Sequence, residues 1–375
     1  MWLWWIKFRF ERLPKERIRT NLEAIRFRPK HQFLGRDSNT GRSTLHDRFP
    51  DPILSGGSPG ASRRRVQWTK QVVRIAIFLI VVVFVGLAIQ RAVQELRTAP
   101  SELTWEQIRW PLILLGLACN IIALFPACIG WVQTLHDFQQ PIAWRPAIYA
   151  YFLGHLGKYV PGKAMAIILR ITELHRHGVL VRPAIVSVFI ETLTSLATGA
   201  ILGAVFLQAM DPPPWLRWSA LAGIPIALLA LFPHAFRAIV TKVSQSRVGH
   251  MPESVARSIT SWLMIRTCLW SVLGWLLQGT VTWLLLMGIS PNPEIVTVHG
   301  WMVCVTSMSL GALAGFLSML PGGAGVREIV SMWLMASLVS QPIALASAVV
   351  ARLVSILAEL VVIAVARTLA VRNRE

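Results

Sequence analysis

The feature that most constrains this chain is a series of apolar segments, each about as long as a helix that crosses a bilayer. A membrane-spanning helix needs roughly 20 mainly apolar residues. Charged residues make up only 15% of the sequence, whereas a soluble domain normally carries about a quarter. We therefore predict an all-α polytopic membrane protein. The predicted spans are 73–91, 111–134, 184–209, 216–235, 262–288, 297–319 and 343–367.

Two Pro-Gly turns interrupt the apolar sequence and border shorter hydrophobic segments. The first turn, at Pro161, separates 146–157 from 163–171, and the second, at Pro321, precedes 326–340. Non-helical backbone inside a bilayer is tolerated only where protein or a water-filled cavity satisfies its polar groups. We predict a re-entrant hairpin at the first turn, and either a short eighth span or a second re-entrant element at the other. The expected total is about 8 transmembrane helices.

Basic residues suggest the orientation of the chain. Residues 1–70 contain 16 Lys+Arg and 6 Asp+Glu, and they precede a predicted transmembrane domain at 71–370 and a short tail at 371–375. Because Lys and Arg concentrate in cytoplasmic segments, we expect a multi-pass protein with both termini in the cytoplasm. The aromatic-basic start of the first 70 residues indicates an interfacial anchor followed by a disordered tether. The alternative is that translation begins near Val72.

Several classes of function find no support in the sequence. The positive charge flanks apolar segments, so anionic lipids explain it more simply than nucleic acid does. The cysteines lie within apolar runs without CxxC spacing and the histidines are scattered, so we predict no disulfide, metal or other cofactor. No HExxH or P-loop motif is present, and we predict no catalytic residues. A membrane transferase that works with one or two carboxylates stays an alternative.

The first turn carries three cations, Lys158, Lys163 and Arg170, around Pro161 and Gly162. Proline removes a backbone donor, and glycine permits a turn that other residues resist. A cluster of cations near the lipid headgroups can bind a phosphate. The alternative interpretation is that the lysines extend towards the membrane surface and serve no ligand.

The second turn is rich in glycine and enters a helix beside an arginine. Backbone N–H groups at the start of a helix favour anions, and Arg327 adds a planar guanidinium suited to phosphate. The alternative is a tight connection between two helices. The candidate binding residues of this turn are Pro321, Gly322, Gly323, Gly325, Arg327 and Glu328.

Charges inside predicted spans form a further set of candidates. Glu191 and Glu359 each lie about 8 residues from the expected cytoplasmic end of a span, or roughly 12 Å deep. Equal depth predicts one shared site. Because charges inside a membrane normally pair, we expect Glu191 to contact Arg170 or Arg352. Glu359 is expected to contact Arg327 or Arg352. Purely structural ion pairs are the alternative to a role in binding.

Both halves of the chain show these features in the same order: a Pro-Gly turn, an arginine and an intramembrane glutamate. Taken together, the motifs resemble the lysylphosphatidylglycerol synthase membrane-region family, also called the flippase-like domain family, over about residues 72–370. The resemblance implies a polytopic protein of the bacterial inner membrane. For the best-known relatives it implies a role in moving modified lipids between leaflets.

The resemblance also sets the expected function and partners. We expect a lipid translocase or lipid-handling protein that binds an anionic headgroup in a cytoplasm-facing polar cavity. The expected partners are anionic membrane lipids or lipid-linked glycans and a separate glycosyltransferase or lipid-modifying enzyme. Relatives often carry a soluble aminoacyl-transfer domain after the membrane part, which this sequence lacks, so lipid aminoacylation is not expected. The alternatives are a transferase acting on a lipid-linked sugar or phospholipid, with Glu191 or Glu359 as base, and a scaffold for a partner glycosyltransferase.

Overall fold

The computed structural model describes Gln90 and residues 108–159, 164–238, 253–323 and 325–371. Within these ranges the regular structure is helical and includes no strand, which confirms the predicted all-α fold. The predicted N-terminal tail, most of the first predicted span and part of the first turn lie outside the described residues. The features concerned are 1–70, 73–89, Pro161, Gly162 and Lys163.

The described α-helices are numbered here in chain order. Short 3-10 turns follow several of them, including Gly157–Tyr159 before the first Pro-Gly turn and Pro321–Gly323 at the second. The helices are α1 (Trp110–Ala123), α2 (Phe125–Asp137), α3 (Trp144–Leu156), α4 (Ala164–Arg176), α5 (Val181–Leu207), α6 (Pro214–Leu231), α7 (Glu253–Ser258), α8 (Ser261–Ile289), α9 (Val298–Leu317), α10 (Val326–Met335) and α11 (Gln341–Val371).

Six helical stretches of the described chain are long and apolar enough to cross a membrane. They overlap six of the seven predicted spans, which confirms those predictions as apolar helices of spanning length. The first stretch combines α1 and α2, which meet at Leu124. Pro126 stands in the first turn of α2, where its missing N–H costs little. The stretches are Trp110–Asp137, Val181–Met210, Pro214–Leu231, Ser261–Ile289, Val298–Leu317 and Gln341–Leu369.

The helices beside the two Pro-Gly turns are shorter than a membrane span. α3 and α4 have 13 residues each and α10 has 10 residues. At 1.5 Å per residue, α10 rises about 15 Å, whereas the hydrocarbon core is about 30 Å thick. α10 is therefore too short to cross alone, and its length favours the re-entrant alternative for the second turn.

Helix α8 lies at the centre of the packing. It contacts α1, α2, α5, α9 and α11, while α3 packs on α4 and α11, and α10 packs on α9 and α11. Small residues allow these helices to approach closely, as is usual in membrane proteins. A Cβ on Gly279 of α8 would lie 2.3 Å from Val305 Cγ2 of α9. The short helices α3, α4 and α10 therefore pack beside the long central ones.

Candidate functional site

A cavity of about 230 Å³ opens among the central helices, and its wall contains charges of both signs. Lys158 and Arg327 supply the positive charges, and Glu191 and Glu359 supply the negative ones. Glu191 and Glu359, for which the sequence predicted one shared site, therefore line the same cavity. The other lining residues are Ala123, Leu124, Ala127, Tyr151, His155, Ser195, Ser271, Gly274, Trp275, Gln278, Met308, Ala312 and Ser355.

Glu359 of α11 is bound by residues at the first turn. Its carboxylate forms an ion pair with Lys158, and it accepts a hydrogen bond of 3.1 Å from the Tyr159 hydroxyl. His155 Nδ1 lies 3.4 Å from Glu359 Oε1. The expected partners, Arg327 or Arg352, were therefore wrong. The reason is that α3 packs directly on α11, so Lys158, which follows α3, lies next to the Glu359 carboxylate.

Glu191 of α5 is bound by Arg170 of α4, which confirms one of the two predicted partners. Arg170 Nη1 donates to Glu191 Oε2 at 2.8 Å, and the Tyr151 hydroxyl donates to Oε1 at 3.2 Å. The guanidinium carbon of Arg170 also lies 4.1 Å from the ring centre of Tyr151 and 5.1 Å from that of Trp131. Gly154 leaves room for it, since a Cβ there would lie 2.4 Å from Arg170 Cγ.

Arg352 of α11 is bound to Glu328 of α10, a pair that the sequence did not predict. The Nη1 to Oε1 distance is 2.5 Å, and both side chains are buried. Glu328 Oε2 also accepts a hydrogen bond of 2.8 Å from the N–H of Gly325. The N–H of Gly323 donates to the Leu320 carbonyl at 3.0 Å. These two N–H groups of the glycine-rich turn are therefore used internally, contrary to the expectation that they face an anion.

Arg327 differs from the other cations at the cavity. Within the described part of the chain, no carboxylate lies within ion-pair distance of its guanidinium, whereas Lys158, Arg170 and Arg352 each have one. Its Nη2 donates to Met308 Sδ at 3.1 Å, and a thioether is only a weak acceptor. Arg327 therefore presents a positive charge to the cavity that the described residues do not neutralise by contact.

Neutral polar side chains connect the helices around the cavity. Gln278 Nε2 of α8 donates to Asn120 Oδ1 of α1 at 2.9 Å, and Asn120 Nδ2 donates to Ser355 Oγ of α11 at 3.3 Å. Thr198 of α5 and Ser271 of α8 are hydrogen-bonded at 2.8 Å. Interhelical hydrogen bonds of this kind hold membrane helices together. Three of these residues, Gln278, Ser355 and Ser271, also line the cavity.

The structure separates the predicted site residues into groups. Four line the cavity: Lys158, Glu191, Arg327 and Glu359. Arg170 pairs with Glu191 of the wall, whereas Arg352 and Glu328 pair with each other. The second turn holds Pro321, Gly322, Gly323 and Gly325. Residues of the site that the sequence did not single out are Tyr151, His155 and Tyr159.

No metal site is evident among the residues that the structure describes, because no group of three or more His, Cys, Asp or Glu side chains is placed to hold an ion. The cysteines Cys119, Cys128, Cys268 and Cys304 are free thiols. Two of them, Cys128 and Cys304, are buried in the helix packing. The site therefore consists of ion pairs, aromatic rings and neutral polar groups.

The comparison with curated proteins found no match to this chain. A family model described as the lysylphosphatidylglycerol synthase TM region matches residues 71–363. That range is most of the chain, and it contains both Pro-Gly turns and all four charged residues of the cavity wall. This multi-pass membrane protein therefore belongs to the lysylphosphatidylglycerol synthase transmembrane-region family.

Proposed function

We propose that this protein binds the anionic headgroup of a membrane lipid in the cavity and moves the lipid between leaflets. Arg327 carries the proposal. Arg327 is partly buried and lines the cavity, and it contacts no carboxylate within the described chain, whereas charges in membrane proteins are normally paired. A bound phosphate would supply the missing negative charge, and the planar guanidinium can bind two of its oxygens.

The size of the cavity supports a headgroup as the occupant. Pockets for drug-sized molecules measure about 300–1,000 Å³, and this cavity measures about 230 Å³. A phosphate with a small attached alcohol fits such a volume, whereas a complete lipid or an oligosaccharide exceeds it. We therefore favour a phosphate with its small attached group as the part of the lipid that enters the cavity.

The chemistry of the wall also suits a lipid. Ala123, Leu124 and Ala312 are apolar, while Ser271 and Gln278 offer neutral hydrogen-bonding groups. An amphipathic ligand could place its phosphate at Arg327 and its hydroxyl groups against the neutral polar side chains. Its glycerol carbons would then contact the apolar part of the wall.

The pairing of the glutamates supports binding over a general-base role. Glu191 is held by Arg170 and Tyr151, and Glu359 by Lys158, His155 and Tyr159. A carboxylate bound by a cation is a weaker base than a free one, because the cation stabilises its ionised form. The transferase alternative requires one of these carboxylates to leave its partner and accept a proton from an acceptor hydroxyl.

The proposal extends to the location of the protein. We propose that it resides in a bacterial inner membrane with both termini in the cytoplasm and the cavity accessible from that side. The charges of basic segments near the span ends support this orientation. Reaction of single cysteines with a membrane-impermeant thiol reagent tests it, in a background lacking the four native cysteines. Labelling of a cysteine near Glu375 in intact cells would contradict the proposed orientation.

Native mass spectrometry of the full chain, extracted with its own membrane lipids, tests the binding site. We expect the wild type and Arg257→Ala to retain an anionic lipid and Arg327→Ala to lose most of it. Arg257 is the matched control because it is an exposed arginine paired with Glu253, outside the cavity. Equal retention by Arg327→Ala, with an unchanged melting temperature, would overturn the proposed site.

A further inference from the structure

The cluster around Glu359 has a property beyond anion binding. Glu359 is 2% exposed, so its ionised carboxylate depends on contacts with protein groups. Lys158 supplies the positive charge, while Tyr159 supplies a hydrogen bond and His155 lies beside the same oxygen that Lys158 contacts. Removing the cation from a buried carboxylate is costly unless the carboxylate is neutralised in another way.

Lys158 is the member of this cluster that can leave. Its side chain is 37% exposed and lines the cavity, whereas Glu359 is buried. Lysine is a flexible point charge that can turn towards a new anion without breaking a fixed geometry. A phosphate at Arg327 would lie in the same cavity and compete with Glu359 for the ammonium group.

We infer that Glu359 and His155 form a proton-binding site and that this protein takes up a proton when an anionic headgroup enters the cavity. The inference rests on the proposed headgroup site. When Lys158 turns to the phosphate, a proton from water binds to the Glu359 carboxylate or to the His155 imidazole. Either location leaves the buried pair without a net negative charge. The proton returns to water when the headgroup leaves and Lys158 re-forms its ion pair.

Among the residues that the structure describes, no other group around Glu359 is free to replace Lys158. From the elements packed around Glu359, the titratable or charged groups that face it are Lys158, Tyr159, His155 and Arg327. Arg327 would be engaged by the headgroup itself. Arg170 is committed to Glu191. The residues that α1, α8 and α9 contribute to the cavity wall are neutral, so none of them can balance the charge.

The two groups act as one acceptor. Coupled groups share a proton, so the uptake belongs to the pair and not to one residue alone. Pairs of carboxylate and histidine inside membranes serve as proton relays in pumps and transporters. When the headgroup and its proton are released together on the opposite side, a difference in pH across the membrane would bias the direction of lipid movement in this protein.

Isothermal titration calorimetry of the full chain in detergent micelles tests the inference. The probe is dihexanoyl phosphatidylglycerol, whose phosphodiester does not titrate near neutral pH, so any proton taken up binds to the protein. Titrations at one pH in buffers of different ionisation enthalpy give the number of protons exchanged. For the wild type we expect an uptake of roughly one proton per bound headgroup.

Variants identify the acceptor. We expect Glu359→Gln, alone and combined with His155→Gln, to bind the probe with the uptake reduced by at least half, because neither variant has the buried carboxylate that Lys158 leaves behind. Glu253→Gln is the control, because Glu253 is an exposed carboxylate that pairs with Arg257 outside the cavity, and it should keep the wild-type uptake. Binding by the wild type without proton uptake would overturn the inference and leave the headgroup site intact. Full uptake in both acceptor variants would also overturn it. No binding by the wild type in any buffer would overturn the proposed function and this inference together.

Discussion

Arg352 and Glu359 lie about two helical turns apart on α11, and each binds a residue beside a different Pro-Gly turn. Arg352 contacts Glu328, which follows the second turn, and Glu359 contacts Lys158, which precedes the first. The second turn also approaches the Gly157–Tyr159 segment that precedes the first, since a Cβ on Gly322 would lie 3.2 Å from both the Tyr159 ring and Arg352 Nη2. One helix therefore contacts residues that flank both interruptions of the apolar sequence.

Breaking the pair between Arg352 and Glu328 should destabilise the protein strongly. Both side chains are buried, so Arg352→Leu leaves Glu328 without its counter-ion, at a cost of roughly 3–5 kcal/mol. Adding Glu328→Gln removes the unpaired charge and keeps an acceptor for the Gly325 N–H, so the double variant should recover part of the loss. Reversible unfolding in detergent measures the coupling by a double-mutant cycle. Additive effects, within about 0.5 kcal/mol, would contradict the pairing.

The 3-10 turn Gly157–Tyr159 should not tolerate a methyl group at Gly157. A Cβ there would lie 2.3 Å from the backbone nitrogen of Ala166 in α4. Gly157→Ala should therefore destabilise the protein by about 1–3 kcal/mol through overpacking. Gly223 is the matched control: it lies in α6 and a Cβ there would meet nothing within 4 Å. Gly223→Ala should be neutral or stabilise the helix by up to about 1 kcal/mol.

Melting temperatures of these two variants in the same detergent provide the comparison. An equal shift for both would show that α4 does not pack closely against Gly157.

Arg170 should not be replaceable by lysine. Its guanidinium binds Glu191 and stacks on Tyr151 and Trp131, and an ammonium group cannot reproduce a planar contact. Arg170→Lys should lower the stability by about 1–3 kcal/mol through the weakened charged hydrogen bond. Arg176→Lys, at a partly exposed pair with Glu173, should change the stability by less than about 0.5 kcal/mol. Chemical denaturation of the two variants side by side makes the test, and equal losses would refute the stacking argument.

The sequence predicted the helices better than it predicted the contacts between them. A long apolar run in a bilayer normally forms a helix, because a helix satisfies the backbone polar groups internally. The pair of Arg170 with Glu191 was also predictable, since it joins two consecutive helices. The pair of Lys158 with Glu359 joins residues 201 positions apart, and no local pattern gives that distance.

Tyr151 and His155 were even harder to identify from the sequence as residues of the site. Tyr151 and His155 lie in an ordinary apolar helix, and only the fold shows that one binds Glu191 and the other lies beside Glu359. Similarly, the sequence shows Glu328 only as a carboxylate at the start of a helix, next to Arg327. The ion pair of Glu328 with Arg352 forms because α10 packs on α11. Which of several nearby cations pairs with a given carboxylate depends on the tertiary structure. The charges and their spacing in the sequence do not determine it.

The most direct test of the account is the rate at which a fluorescent anionic phospholipid crosses the membrane of proteoliposomes that contain this protein. A hydrogen bond to a charged group contributes about 1.5–3 kcal/mol, which corresponds to a tenfold to hundredfold change. We therefore predict that Arg327→Ala lowers the initial rate by at least about tenfold, that Arg327→Lys retains part of it and that Arg257→Ala leaves it unchanged. A wild-type rate no faster than that of empty liposomes, or an unchanged rate in folded Arg327→Ala, would contradict the account.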